Sequence, residues 1–194
     1  MGSERGRGTR DAVREAAADL IGELGWGRVS TRTVADRAGV RPGVVHYHFR
    51  SQQELLIEAA TSRIAELAGE GLGALGSATD LRTGLALLLD AVAHVDATDP
   101  LHRLMAETHL AATRDPALAE ALRTVVAGFR DELAVWLVSR GVASDSAPAT
   151  AALVTAALDG IALHRAIDPE LPVHRAPSIL ATLADTGGDR PCTH

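Results

Sequence analysis

The chain has 194 residues, 46% of them hydrophobic, and a formal net charge of −6 at pH 7; that length holds one large domain, or a small one plus a larger one, with ample core. A single cysteine, Cys192, excludes an intrachain disulfide and a zinc site built on paired cysteines. No apolar run approaches a membrane span and the start, MGSERGRGTR, lacks the apolar middle of a secretion signal, so a cytoplasmic protein with no membrane partner is expected.

Residues 1–8 are rich in glycine and arginine and are expected to form a disordered tail, with Arg5, Arg7 and Arg10 solvated or brushing phosphates. A first helix is predicted from about Thr9 to Leu24, because Val13, Ala16, Ala17, Leu20, Ile21 and Leu24 recur at helical spacing. Gly25-Trp26-Gly27 ends it, with Trp26 expected as a core plug between that helix and the next pair. The stretch Val29–Leu56 then reads as two short helices around a glycine turn, followed by the capped start of another. Ser30 caps the first of the pair, with Val29 packing on Val34 across the cap. Gly39 permits the left-handed backbone of a helix end, and Pro42 suits the first position of a helix spanning Pro42 to Phe49. So short a helix must be held by packing, for which Val40, Val45 and Phe49 are placed. Helix, tight turn, short helix is the layout of a DNA-binding helix-turn-helix. With Val45 and Phe49 inward, the 3.6-residue period turns Gly43, Val44, Tyr47 and partly His46 outward.

Charge is distributed to match. Residues 1–50 carry nine arginines and six acidic residues, a net +3, and the remainder carries −9. A basic head on an acidic body suits a DNA reader whose other part is kept off the phosphates.

The segment TRTVADRAGVRPGVVHYHFRSQQELL, preceded by a helix ending in GWGRVS, closely resembles the DNA-binding domain of the TetR family of bacterial transcriptional regulators. The resemblance covers about the first third of the chain and couples the turn Ala38-Gly39-Val40, the cluster His46-Tyr47-His48-Phe49 and the Ser51…Glu54 cap in order. It implies base contacts from Arg32, Arg41, Pro42, Gly43, Val44 and His46. It implies phosphate contacts from Ser30, Thr31, Thr33, Tyr47 and His48. Gln52 stands where the family usually has a phosphate-gripping lysine, so one ionic contact fewer is expected there.

The next helix opens with a capping box, Ser51 and Glu54, and buries Leu55, Leu56, Ala59, Ala60, Ile64 and Leu67 until glycines 69, 71, 73 and 76 break it. Another is predicted from Leu81 to Val95. Asp99-Pro100 and Asp115-Pro116 each supply an N-cap and a first-turn proline, opening helices to about Thr113 and Arg140. Two more are predicted over Ala147–Ile167 and Pro177–Ala184. No stretch alternates as a strand does. The fold class is therefore all-α, with about nine helices. A three-helix DNA-binding domain over 1–50 is followed by a larger effector-binding and dimerisation domain over 51–185 and a disordered tail over 186–194.

The TetR resemblance implies a homodimer built on the last two helices, with Leu153, Ala157, Gly160, Ile161, Ile179, Leu180 and Leu183 in a four-helix interface. From the residues alone these helices are apolar on more than one face, and a buried internal pair remains the alternative. The resemblance also implies a small-molecule effector bound between the fourth and eighth helices, for which His94, His102, Met105, His109, Phe129, Trp136 and His164 are candidate contacts. His102, Met105 and His109 share one helical face. No carboxylate–histidine spacing recurs, so neither metal nor cofactor is expected. Two Phe, two Trp and one Tyr are too few for a cage around flat cations, which favours an aliphatic or uncharged effector. The expected function is a repressor that binds a palindromic double-stranded DNA operator as a dimer and is released by the effector. Two alternatives compete: a helical enzyme or metal-binding protein using His102, Glu107 and His109, and an interaction protein whose helix-turn-helix does not bind DNA. Against the enzyme, the chain has no glycine-rich phosphate loop, Gly-x-Ser-x-Gly elbow or His-Glu-x-x-His pair.

Overall fold

Apolar residues at helical spacing, punctuated by Asp-Pro pairs and glycines, close a run of α-helices in the computed structural model. It describes residues 2–93 and 98–185, with side chains over 6–92 and 98–182. Among the described residues there are nine α-helices, one 3-10 turn (Trp26–Arg28) and no strand. The helices are α1 (Gly2–Leu24), α2 (Thr31–Arg37), α3 (Pro42–His48), α4 (Gln52–Leu75), α5 (Leu81–Ala93), α6 (Pro100–Ala112), α7 (Pro116–Ser139), α8 (Ala147–Arg165) and α9 (Ala176–Asp185). The expected helical content and order hold. His94, Val95 and the expected tail over 186–194 lie outside the described residues, as does the side chain of Leu183.

Packing divides the chain into two compact units, residues 1–66 with 98–125, and residues 67–97 with 126–194. In the first, α1 buries Val13, Ala16, Ala17, Leu20 and Ile21, and it packs against α2, α3 and α6. The approach of α1 to α6 is close enough to need a glycine. A Cβ on Gly22 would lie 2.2 Å from the carbonyl oxygen of Pro100. That carbonyl opens α6, whose first turn is fixed by Pro100 and by the Asp99 carboxylate, which accepts from the backbone N–H of Leu101 (2.8 Å) and His102 (3.3 Å). Asp115 caps α7 in the same way through Ala117 and Leu118.

In the second unit, Leu85, Leu88 and Leu89 of α5 meet Leu133 and Leu137 of α7 and Ala151, Val154 and Leu158 of α8. The Trp136 indole lies against Gly84, where a Cβ would come within 2.2 Å of the ring. Asp80 caps α5, its carboxylate accepting from Thr83 N–H at 2.8 Å, and bonds from the Thr83 backbone and hydroxyl hold it below the usual carboxylate range. Gly141, at φ 96, ends α7 in a conformation that a side chain resists.

Four expectations are corrected. The helix expected from Thr9 starts at Gly2, so residues 2–8 are not a disordered tail; once the packed part supplies a nucleus, each preceding residue adds one hydrogen bond at little cost. Trp26 is not a core plug, because no residue of its 3-10 turn is buried. The glycines at 69, 71 and 73 do not break α4, which runs to Leu75. Packing of Leu72 and Leu75 into the second core outweighs the roughly 1 kcal/mol that each glycine costs a helix. Finally, α8 is, by length and composition alone, long and apolar enough to cross a membrane. Its alanines raise its hydropathy, while Ala151, Val154 and Leu158 go to the core.

The Gly22 contact yields a prediction. Gly22→Ala should destabilise the protein by about 1–3 kcal/mol, since backbone must move to admit the methyl. Gly69→Ala, with nothing within 4 Å of its added Cβ, should stabilise by up to about 1 kcal/mol. Denaturant midpoints decide it: equal midpoints for the two variants would mean that α1 and α6 do not meet this closely.

Candidate nucleic-acid interface

The helix-turn-helix is set by backbone bonds before its outer face can matter. Ser30 precedes α2, and its hydroxyl accepts from Thr33 N–H at 3.2 Å while Thr33 Oγ1 accepts from Ser30 N–H at 2.9 Å, a reciprocal capping box. The Thr33 hydroxyl donates in turn to the Ser30 carbonyl at 2.8 Å. Val29 and Val34 are both buried beneath the cap. Two of the expected phosphate contacts, Ser30 and Thr33, thus spend their hydroxyls on the helix start. At the other end of α2, Gly39 adopts φ 67 and Val40 N–H returns to the Ala35 carbonyl at 3.0 Å. The chain then enters α3 through Arg41 and Pro42.

α3 has seven residues. Val45 and Phe49 are buried, and the opposite side is open: Pro42, Gly43 and His46 are exposed, Val44 and His48 half-buried, and Tyr47 is 84% exposed. A side chain so exposed contributes little to the packing that holds α3 in place. Its edge meets His48, with ring centroids 5.1 Å apart and planes at 80°. Arg32 and Arg41 are exposed and Thr31 half-buried; Arg41 directly precedes α3, and Thr31 and Arg32 open α2, which packs against α3. Gln52 is exposed but its side-chain N–H donates to the Val29 carbonyl at 3.0 Å, bracing the start of α4 against the entry to α2. Ser51 accepts from Glu54 N–H at 3.0 Å as expected, whereas the Glu54 carboxylate takes Arg50 N–H at 2.9 Å, one residue before the cap.

Electrostatics sorts the arginines. Arg37 is held by Glu23 through two bonds of 2.9 and 2.6 Å. This pairing draws the Glu23 carboxyl below its ordinary range and raises Arg37. Arg28 turns back to the Leu24 carbonyl. Arg10 is bound by Glu58. Among the described residues, the guanidinium groups of Arg32, Arg41 and Arg50 have no acidic partner, and all three are exposed. Arg50 adds to the expected contacts; its place immediately after the His46–Phe49 cluster, in a basic head, is the sequence signal that points to it.

The other candidates fall into both units. His102 is buried on α6 at 7% exposure, Met105 is half-buried, and the His109 ring Nδ1 lies 2.9 Å from the Met105 carbonyl. Glu107 points to the opposite side of α6 from His102, since five residues turn a helix by about 500°. Its carboxylate accepts from Trp26 N–H at 2.9 Å and borders Gly25, which adopts φ 87. His102, Glu107 and His109 therefore do not form one acid–base or metal cluster, and among the described residues no group of three metal-binding side chains occurs. In the second unit, Phe129 and Trp136 pack against the core, and the Trp136 Nε1–H is buried without a partner among the described residues; His164 is exposed. Of the residues expected at a dimer interface, Leu153 and Ile179 are exposed, Ala157 and Gly160 half-buried, and Ile161 and Leu180 lie against their own core.

Comparison with known proteins matches residues 13–59 to the family model described as bacterial regulatory proteins, tetR family, and residues 79–186 to that described as tetracyclin repressor-like, C-terminal domain. An HTH-type transcriptional regulator of Mycobacterium tuberculosis is 27% identical over 186 residues, covering 87% of this chain and 89% of that protein. The crystal structure of a transcriptional regulator from Rhodococcus sp. superposes with a TM-score of 0.76 at 27% identity, over 92% of this chain and 96% of the other. A further similar structure is that of the multidrug binding protein EbrR complexed with imidazole, with a TM-score of 0.66 at 27% identity, covering 90% and 94%.

Two outcomes follow from this geometry. Ser30→Ala should cost about 1 kcal/mol of stability through loss of the cap, with Thr33→Ala similar and the double variant less than additive, all readable by denaturant unfolding. The depressed Glu23 carboxyl contributes stability above its unfolded pKa, lost as pH falls through the lower folded value. Glu23→Gln should accordingly flatten the acid limb of the stability–pH curve, and an unchanged limb would show that the pair contributes nothing.

Proposed function

The chain belongs to the TetR family of bacterial regulatory proteins and is a transcriptional regulator; from that premise we propose that it is a cytoplasmic repressor that reads a palindromic DNA operator as a homodimer and lets go when a small molecule binds. The observation that carries the reading is the outer face of α3, where Tyr47, Gly43 and His46 are exposed, together with Arg32, Arg41 and Arg50, exposed and without acidic partners among the described residues. Residues 1–50 do the reading and 51–185 bind effector and partner subunit. Arg41, Pro42, Gly43, Val44, His46 and Arg32 meet base edges. Thr31, Tyr47, His48 and Arg50 grip phosphates. Ser30 and Thr33 act by holding α2 in place, and Gln52 by bracing α4.

One seven-residue helix reads too few base pairs for a unique site, so two-fold pairing of subunits is required to read two half-sites about one turn apart. Leu153, Leu163 and Ile179, exposed on α8 and α9, supply an apolar surface for that pairing, with Ala157 and Gly160 permitting close approach. Phe129 and Trp136 contact the effector, an aliphatic or uncharged molecule with an acceptor for the buried Trp136 Nε1–H. The imidazole held by EbrR supports a small-molecule effector. By linkage, that molecule must favour the non-DNA form, or nothing is released.

Selection of bound sites from random DNA should return a two-fold-symmetric consensus; no enrichment at low salt would overturn the reading. On the selected site, Arg32→Ala or Tyr47→Ala should weaken binding by about 1–3 kcal/mol without lowering the unfolding midpoint. Gln52→Lys should steepen the slope of log affinity against log salt by about one unit. Ile179→Asp should shift the sedimentation coefficient to that of a monomer, and an unaltered value would remove α9 from the interface.

A further inference from the structure

Arg10 lies on α1 in the basic head, where its charge suggests phosphate binding. Its surroundings say otherwise. Its guanidinium forms a bidentate pair with Glu58 of α4, at 2.5 and 2.6 Å, and both side chains are partly sheltered. The same guanidinium stacks over the Phe49 ring, with Cζ 4.8 Å from the centroid. Phe49 is 2% exposed and is the residue on which α3 ends, its N–H donating to the Val45 carbonyl at 2.9 Å. One planar cation thus touches α1, the C-terminal end of α3 and α4 together.

We propose that Arg10 is a positioning residue for DNA reading: its guanidinium, locked by Glu58, covers the Phe49 ring and sets the orientation of α3, and it does not itself bind phosphate. This rests on the reading of α3 as the recognition helix. A short helix anchored by two buried side chains, Val45 and Phe49, can still rock about the line joining them. A cation on the ring face, tied to the next helix, removes that freedom. The planar fork matters, because a guanidinium can meet a carboxylate in two bonds and still place its charge over a ring, which a single ammonium cannot. Charge is the second part of the argument: Glu58 neutralises Arg10, so phosphate would have to displace a two-bond partner to engage it.

The test compares Arg10→Ala, Arg10→Lys, Glu58→Ala and the Arg10→Ala/Glu58→Ala double variant, each in the full chain and well below its unfolding midpoint. Affinity is measured against the selected operator and against random DNA over a salt series. Each variant is expected to lose about tenfold in operator affinity with random-DNA binding and salt slope unchanged. The double variant should be no worse than Arg10→Ala, and Arg10→Lys should fail to rescue. A salt slope shallower by about one unit for Arg10→Ala, with operator and random DNA weakened alike, would make Arg10 a phosphate contact and overturn the proposal. A lowered unfolding midpoint with an unchanged operator-to-random ratio would make the contact merely structural and overturn it too. Amide hydrogen exchange supplies a readout independent of DNA. The amide of Phe49, bonded to the Val45 carbonyl, should lose protection in Arg10→Ala but keep it in Arg63→Ala, which breaks the Arg63–Glu66 pair within α4. If the wild type selects no operator, the function reading fails while exchange still decides the positioning role; uniform protection in both variants would refute it.

Discussion

A seven-residue helix does not hold itself together in water, and the first unit is built around that constraint. α3 has only seven residues, enough for about two turns, whereas isolated helices need roughly twice that length to be even marginal. Its stability must come from the side turned inward, and that leaves the outward side free of structural duty. Val45 and Phe49 supply the inward side. Tyr47, on the outward side and 84% exposed, contributes little to that packing and is free to face a partner.

The neighbouring devices follow from the same constraint. The Ser30–Thr33 box fixes where α2 begins, and Gly39 lets the chain reverse without strain. Arg41 and Pro42 then start α3 at a defined point. Below them, α1 is wedged against α6 at Gly22, and Glu107 of α6 takes the N–H of Trp26 just after α1 ends. Each is a small contribution, of the order of 1 kcal/mol. Together they determine the path of the backbone into and out of α3.

Electrostatics adds a second layer. Nine arginines lie in the first fifty residues, yet they are not equivalent. Glu23 and Glu58 each occupy one through two bonds, and the Leu24 carbonyl occupies Arg28. Among the described residues, Arg32, Arg41 and Arg50 have no acidic partner. A count of positive charge therefore overstates the surface available to phosphate, and the acidic residues of the head act as selectors among its cations.

By itself the sequence determined several features that rest on neighbours along the chain. The helical content, the Ser30 and Ser51 caps, the Gly39 turn, Pro42 opening α3 and the two Asp-Pro starts all depend on residues within four positions of one another, so spacing alone reveals them. The family was legible for the same reason, its motif being local. Tertiary structure alone decided what rests on distant residues. Arg10 meets Glu58 and Phe49, Gln52 meets Val29, and Glu107 meets Trp26 across 81 positions. No periodicity encodes such pairs. The same applies to the glycines of α4, where local propensity pointed to a break and the distant burial of Leu72 and Leu75 kept the helix whole. Trp26, large and apolar, was expected inside; its position in a turn fixed by a backbone bond to α6 left it partly outside, because the chain there is placed by its N–H and not by its ring.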